Sequence, residues 1–172
     1  MNILIHDLIG KSSNEVISRV EMEVSKKFKV VSKDSERPWG GFLVIDEEDG
    51  DKFIRSYFPE YTPEQLSISG KLSPKILIVA PNKKLSWQYH HRRAEIWKLI
   101  SGTAGVVRSD DDTEKELIIL NEGDTIELQQ GERHRLVGLD RWGIIAEIWR
   151  HTDADNPSDE EDIVRVQDDF GR

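Results

Sequence analysis

Hydrophobic positions along the chain fall into two regimes. Between Ser12 and Phe28, the residues Ile17, Val20, Val24 and Phe28 recur three or four apart, the spacing that puts apolar side chains on one face of a helix. Ser12 followed by Glu15 has the form of a capping box, in which each side chain takes up a free backbone N–H at a helix start. An amphipathic helix is therefore expected within an N-terminal extension, residues 1–35.

Beyond it the period shortens. The segments "GGFLVID", "KFIRSYF", "KILIVA", "LSWQYH", "EIWKLIS", "TAGVVR", "KELIIL", "DTIEL", "HRLVGL" and "WGIIAEIWR" are short and rich in β-branched and aromatic residues, and glycine, proline, asparagine or aspartate separates most of them. Roughly ten strands with almost no room for crossover helices pair mainly as antiparallel neighbours, which predicts an all-β sandwich or barrel over residues 36–172. Several runs are apolar on both faces, as expected where one face lines the interior and a second sheet, the helix or a partner covers the other. The polar, proline-containing stretch from Pro59 to Pro74 breaks the pattern and reads either as a lid over a pocket or as an ordered surface loop. "HTDADNPSDEED" resembles a solvated linker, and the apolar character regained in "IVRVQDDFGR" predicts a tail that packs back on the body.

Composition narrows the partners. With 172 residues the chain fits one domain, so one site is sought. A net charge of -9 argues against a general nucleic-acid binder, and any anionic ligand must be drawn by a local basic cluster. There is no cysteine, which excludes disulfides and thiolate zinc sites. The start "MNILIHDLIGK" has no basic leader followed by a secretory apolar core, and no stretch reaches membrane-spanning length. A cytoplasmic protein without a membrane partner is expected.

The chemistry concentrates in "LSWQYHHRRAEIWKLISG", Leu85 to Gly102. Residues two apart in a strand share a face, so Gln88 and His90 can point into one cavity while Trp87 and Tyr89 point away. A turn at His91, Arg92 and Arg93 would bring the chain back with Glu95, Trp97 and Leu99 on the matching face. His134, just after Gly131 at the start of another strand, is the natural fourth member. Two imidazoles, a carboxylate and an amide oxygen suit zinc, and also manganese, iron or cobalt, among which the residues themselves do not choose. Trp97 shares the face of Glu95 and can wall the site, although a large aromatic in a barrel is more often core. His91 reads as a turn or rim residue, and His6 and His151 lie outside the motifs.

The spacing Gln88-x-His90-x4-Glu95-x6-Gly102, followed by Gly123, Gly131 and His134, resembles the two cupin motifs. Within the cupins, "RPWG" at Arg37 to Gly40, "LSWQYHHRRAEIWKLISGTA" and "EDIVRVQDDFGR" resemble the type II mannose-6-phosphate isomerase domain, commonly the C-terminal part of bifunctional mannose-1-phosphate guanylyltransferase/isomerases. The resemblance runs from about Arg37 to Arg172. It implies a jelly-roll barrel with a divalent metal at its mouth on Gln88, His90, Glu95 and His134, and interconversion of mannose 6-phosphate and fructose 6-phosphate. The chain departs from the family where Arg92 stands in place of a third histidine and Gln129 in place of a proline. No glycine-rich nucleotide-binding signature is present, so nucleotide-sugar synthesis is not expected of this chain.

Moving a carbonyl between C1 and C2 needs a proton carrier and an electrophile that stabilises the enediolate. Glu147, an acid in the apolar strand "WGIIAEIWR", is the expected carrier because burial would raise its pKa toward neutrality. Arg93 is a second catalytic candidate beside the site, whereas alternation puts Lys98 on the opposite face from Glu95. Arg92, Arg133 and Arg135 flank the two motifs and offer guanidinium forks for a phosphate. A different metal-cupin enzyme such as a dioxygenase, and a non-catalytic sugar-binding cupin, are the alternative readings. Pairing of two copies through sheet edges, as a homodimer, is the expected assembly.

Overall fold

Helix α1 runs Ser13–Val24 in the computed structural model, which describes residues 8–172; residues 1–7, with His6, lie outside the described residues. The Ser12 hydroxyl accepts from the Glu15 backbone N–H at 3.3 Å, and the Glu15 carboxylate accepts from the Ser12 backbone N–H at 2.8 Å. The buried stripe is Val16, Ile17, Val20 and Val24.

Nine strands follow: β1 (Val30–Arg37), β2 (Gly40–Ile45), β3 (Lys75–Val79), β4 (Trp87–Tyr89), β5 (Arg93–Ser109), β6 (Ile118–Leu120), β7 (Thr125–Leu128), β8 (Arg133–His151) and β9 (Val164–Gln167). All pairings are antiparallel, in the order β1-β2-β3-β8-β4-β9, with β5 lying along β8 and carrying β6 and β7. The architecture is an all-β jelly roll with an N-terminal helix, although the strand pairing does not close the sheet into a barrel.

Several local expectations are corrected. "KFIRSYF" is not a strand but most of helix α2 (Gly50–Tyr57). Phe53 and Ile54 with Tyr57 and Phe58 repeat at helical spacing, and the acids at 47–49 and 51 favour the positive end of a helix. Strand β1 lacked a hydrophobic signal because it is a polar edge strand, as sheet edges commonly are. "EIWKLIS" and "TAGVVR" form the single strand β5, and "HRLVGL" and "WGIIAEIWR" the single strand β8. Gly102 does not break the strand: it pairs with Gly143 beside a register shift, its φ is +85°, and a Cβ there would lie 1.9 Å from the Trp142 carbonyl oxygen.

Strand alternation builds two cores. On β3 and β8, Ile76, Ile78, Ile144, Ala146 and Ile148 face α1 and α2, while Leu77, Val79 and Ile145 face Trp97, Leu99 and Leu136. The runs that are apolar on both faces are thus covered outside by helices. The Pro59 to Pro74 excursion belongs to that outer layer: helix α3 (Pro63–Leu66) is capped by Thr62, and Phe58, Leu66 and Leu72 join the helix-side core. None of its residues lines the cavity described below, so it is an anchored surface segment and not a lid. Among the described residues no helix is long and apolar enough to cross a membrane.

Candidate metal centre

Strand β4 sits against the start of β8, with Gln88 directly opposite His134, and β5 pairs with the opposite half of β8 so that Glu95 lies opposite Trp149. His90, just past β4, and Glu95 and His134 converge until their ligand atoms all lie within 4.8 Å of one another, and all three are buried. His90 Nε2 is 3.1 Å from Glu95 Oε1, and His134 Nε2 is 3.3 Å from Glu95 Oε2. Gln88 lines the same cavity, its amide oxygen accepting from the Ser86 hydroxyl at 2.6 Å.

Backbone carbonyls orient both imidazoles. His90 Nδ1 is 2.7 Å from the Asp162 carbonyl oxygen and His134 Nδ1 is 2.9 Å from that of Glu132. A carbonyl only accepts, so the proton of each neutral ring resides on Nδ1 and the Nε2 lone pair points at the carboxylate. Lone pairs aimed at a carboxylate repel unless a cation or proton lies between them. Glu95 Oε2 and His134 Nε2 are indeed buried without a hydrogen-bond partner. Burial lowers the His90 pKa and favours its neutral, ligating form. Burial opposes ionisation of Glu95, but its contacts with the His90 imidazole, the Arg93 guanidinium and His134 outweigh it and hold the carboxyl well below its ordinary range. The residues present therefore fit a divalent metal.

Arg93 reaches the same centre. Its Nε donates to Glu95 Oε1 at 2.8 Å, Nη2 lies 3.3 Å from His90 Nε2, and Nη1 donates to the Ser158 hydroxyl at 2.8 Å. The guanidinium stacks 3.6 Å from the Trp149 ring centroid, which fixes its plane. Asp162 ties this corner to the C-terminal segment: its carboxylate accepts from the His91 and Arg92 backbone N–H groups, each at 3.0 Å, and from the Ser158 hydroxyl at 2.6 Å.

Glu147 lies in the same cavity, 4% exposed, with Trp97 Nε1 donating to Oε2 at 2.8 Å and Trp149 Nε1 to Oε1 at 2.9 Å. Burial, and next the Glu95 charge, push its pKa up to about 7, against the opposing pull of Lys75 and Arg93. Lys75, opposite Glu147 on β3, packs its ammonium 4.0 Å from the Trp149 centroid and bonds Glu160. Trp97 is both wall and core. Lys98 points outward to the Tyr57 carbonyl.

The three arginines expected to meet phosphate do not line this cavity. Arg92 pairs with Asp159, Arg133 pairs with Asp112 and stacks on Tyr89, and Arg135 is buried against the Leu85 carbonyl and Glu114. The cations that do line it are Arg37, Lys75, Arg93, Arg165 and Arg172, against the carboxylates Glu95, Glu147 and Glu160. Arg37 belongs to "RPWG", and Arg165 and Arg172 to the C-terminal block. Both blocks stood out in the sequence, but nothing there showed that β9 returns them to β4.

Residues 51–168 match the model of a protein family described as "Mannose-6-phosphate isomerase C-terminal". The chain belongs to this family. Xanthan biosynthesis protein XanB of Xanthomonas campestris pv. campestris (strain B100) is 32% identical over 137 residues, which cover 79% of this chain and 23% of that protein. The mannose-1-phosphate guanylyltransferase of Escherichia coli (strain K12) is 29% identical over 142 residues, 83% of this chain and 24% of that one. The chain thus spans about a quarter of the length of these relatives. Among solved structures, the capsular polysaccharide assembling protein CapF of Staphylococcus aureus superposes with a TM-score of 0.52 at 15% identity, covering 79% of this chain and 34% of that one. Likeness at that identity speaks for the fold, which is that of the cupins. This member of the mannose-6-phosphate isomerase C-terminal family has a buried His-Glu-His group that could hold a metal.

Proposed function

We propose that this chain is a divalent-metal-dependent aldose–ketose isomerase that interconverts mannose 6-phosphate and fructose 6-phosphate. The observation that carries the reading is the meeting, in one cavity, of two imidazole lone pairs and a carboxylate with a second buried carboxyl whose pKa lies near neutrality. His90, Glu95 and His134, with Gln88 beside them, would hold a divalent ion, zinc being the expected one, that supplies a Lewis acid for the sugar carbonyl and its neighbouring oxygen.

The chain's own part is the proton. The Glu147 carboxylate takes the proton from C2 of the open-chain aldose, and the C–H electron pair becomes the C1=C2 bond of the enediol. The carbonyl π pair moves onto O1, which takes up the O2 hydroxyl proton; the O2 lone pair then forms the ketone C=O as the C1=C2 pair takes the proton back at C1 from the same carboxyl. The two indole N–H groups hold both carboxylate oxygens and so aim the group during the transfer. Arg93 fixes Glu95 and adds positive charge where the enediolate carries negative charge.

One observation favours a second reading. Arg93 already bonds Glu95 and approaches His90, which compensates the carboxylate without a metal and would suit a sugar-binding cupin that lacks turnover. Assay of mannose 6-phosphate with chelated and zinc-reloaded protein separates the two. The isomerase reading predicts fructose 6-phosphate only after reloading. Reloaded protein with stoichiometric zinc and no product would leave the binding cupin.

A further inference from the structure

We propose that Arg165, with Arg37 and Arg172, forms a phosphate-binding subsite at the mouth of the cavity. In register, Arg165 on β9 stands opposite Gln88 on β4, so strand pairing sets it beside the proposed metal group. It lines the same cavity as Arg37, from the end of β1, and Arg172, from the last turn of the chain.

The three guanidiniums are not equally satisfied. Arg172 is bound through two nitrogens to Asp168, and Arg37 gives its Nε to Asp34 at 2.8 Å. Among the described residues no carboxylate lies within 4 Å of Arg165, and neither terminal nitrogen of Arg37 makes a hydrogen bond. Burial, Arg172 and Arg37 each act to lower the Arg165 pKa, with Asp168 pulling the other way. With Arg172 paired to Asp168 and Arg37 to Asp34, the exposed Arg165 leaves the cluster one positive charge in excess, which an anion between the guanidiniums would balance. In a chain with a net charge of -9, this local excess has to be built by the fold, and here β9 builds it from both ends of the cupin body. Terminal guanidinium N–H pairs match the oxygens of a phosphate dianion.

A phosphate ester at the far end of a hexose would occupy this mouth while the carbonyl end meets His90, Glu95, His134 and Glu147. Assigning the anion to a sugar ester rests on the isomerase reading; the anion site itself does not.

Titration calorimetry of the zinc-loaded protein with inorganic phosphate, and with mannitol 6-phosphate, which has no carbonyl to isomerise, tests the subsite. Both ligands are expected to bind and to compete. Arg165→Gln and, separately, Arg37→Gln should weaken both by about tenfold or more, while zinc stoichiometry stays unchanged. Lys115→Gln, which removes an equal charge from an exposed site, should leave both affinities as they were. Binding of inorganic phosphate but not of mannitol 6-phosphate would keep the anion site and remove its assignment to a sugar ester. Failure of the parent to bind either ligand, or binding insensitive to both arginine substitutions, overturns the subsite even if mannose 6-phosphate is turned over. Arginine-dependent binding without turnover overturns the isomerase reading and leaves the subsite standing.

Discussion

At the scale of single residues, the account turns on Glu147. Its folded-state pKa of about 7 lies above the ordinary 4.5, so its contribution to stability is full below the ordinary carboxylate range and is lost as pH rises through about 7. The ionised form that this penalises is the one needed as base. Activity should therefore climb with pH over the range in which stability declines, with Lys75, Arg93, Glu95, Trp97 and Trp149 setting the balance around the group. Glu147→Gln is expected to lower kcat by at least about a hundredfold, to leave zinc binding intact, and to flatten the pH dependence of stability between pH 5 and 8 in urea unfolding. The convergence of His90, Glu95 and His134, with Gln88 lining the same cavity, was legible because these residues sit at spacings that strand geometry can interpret. The role of Asp162 was not legible, since a lone aspartate in an acidic stretch looks solvated until the tail is folded back.

At the scale of elements, the C-terminal segment is part of the centre's frame. The Asp162 backbone carbonyl sets the tautomer of His90, and its side chain takes two backbone N–H groups of the turn that leads into β5. Asp162→Ala should cost roughly 2 to 3 kcal/mol, because those donors lose their acceptor, and a calorimetric zinc titration should show weaker binding. Gly102 is the corresponding point in β5. Gly102→Ala forces a Cβ onto the Trp142 carbonyl at a left-handed φ, and denaturant unfolding should register a loss of at least about 2 kcal/mol. The same position shows where pattern reading stops: glycine between two apolar runs predicts a break between strands, whereas pairing of β5 with β8 on both sides keeps it inside one strand. "KFIRSYF" failed for a related reason, since seven residues hold too few repeats to tell a period of two from one of 3.6.

At the scale of the whole molecule, the jelly roll brings together residues far apart in the chain: "RPWG" near its start, β4 and β5, which each pair with β8, and the terminal strand β9. Fold class followed from short antiparallel segments, which needed no contact information. Which arginines face the cavity did not follow, because Arg92, Arg133 and Arg135 flank the motifs in sequence yet are spent on Asp159, Asp112 and Glu114. The helix-side core, filled from α1, α2 and the 59–74 segment, holds the outer face of β3 and β8 and so stiffens the strands that carry Lys75 and Glu147. The central claim is that this rigid frame moves a proton between adjacent sugar carbons. The most direct measurement is proton NMR of mannose 6-phosphate with the zinc-loaded protein in D2O. The account predicts fructose 6-phosphate that carries solvent deuterium at C1, in an amount that falls with Glu147→Gln. Neither product nor exchange, with zinc bound in stoichiometric amount, would contradict it.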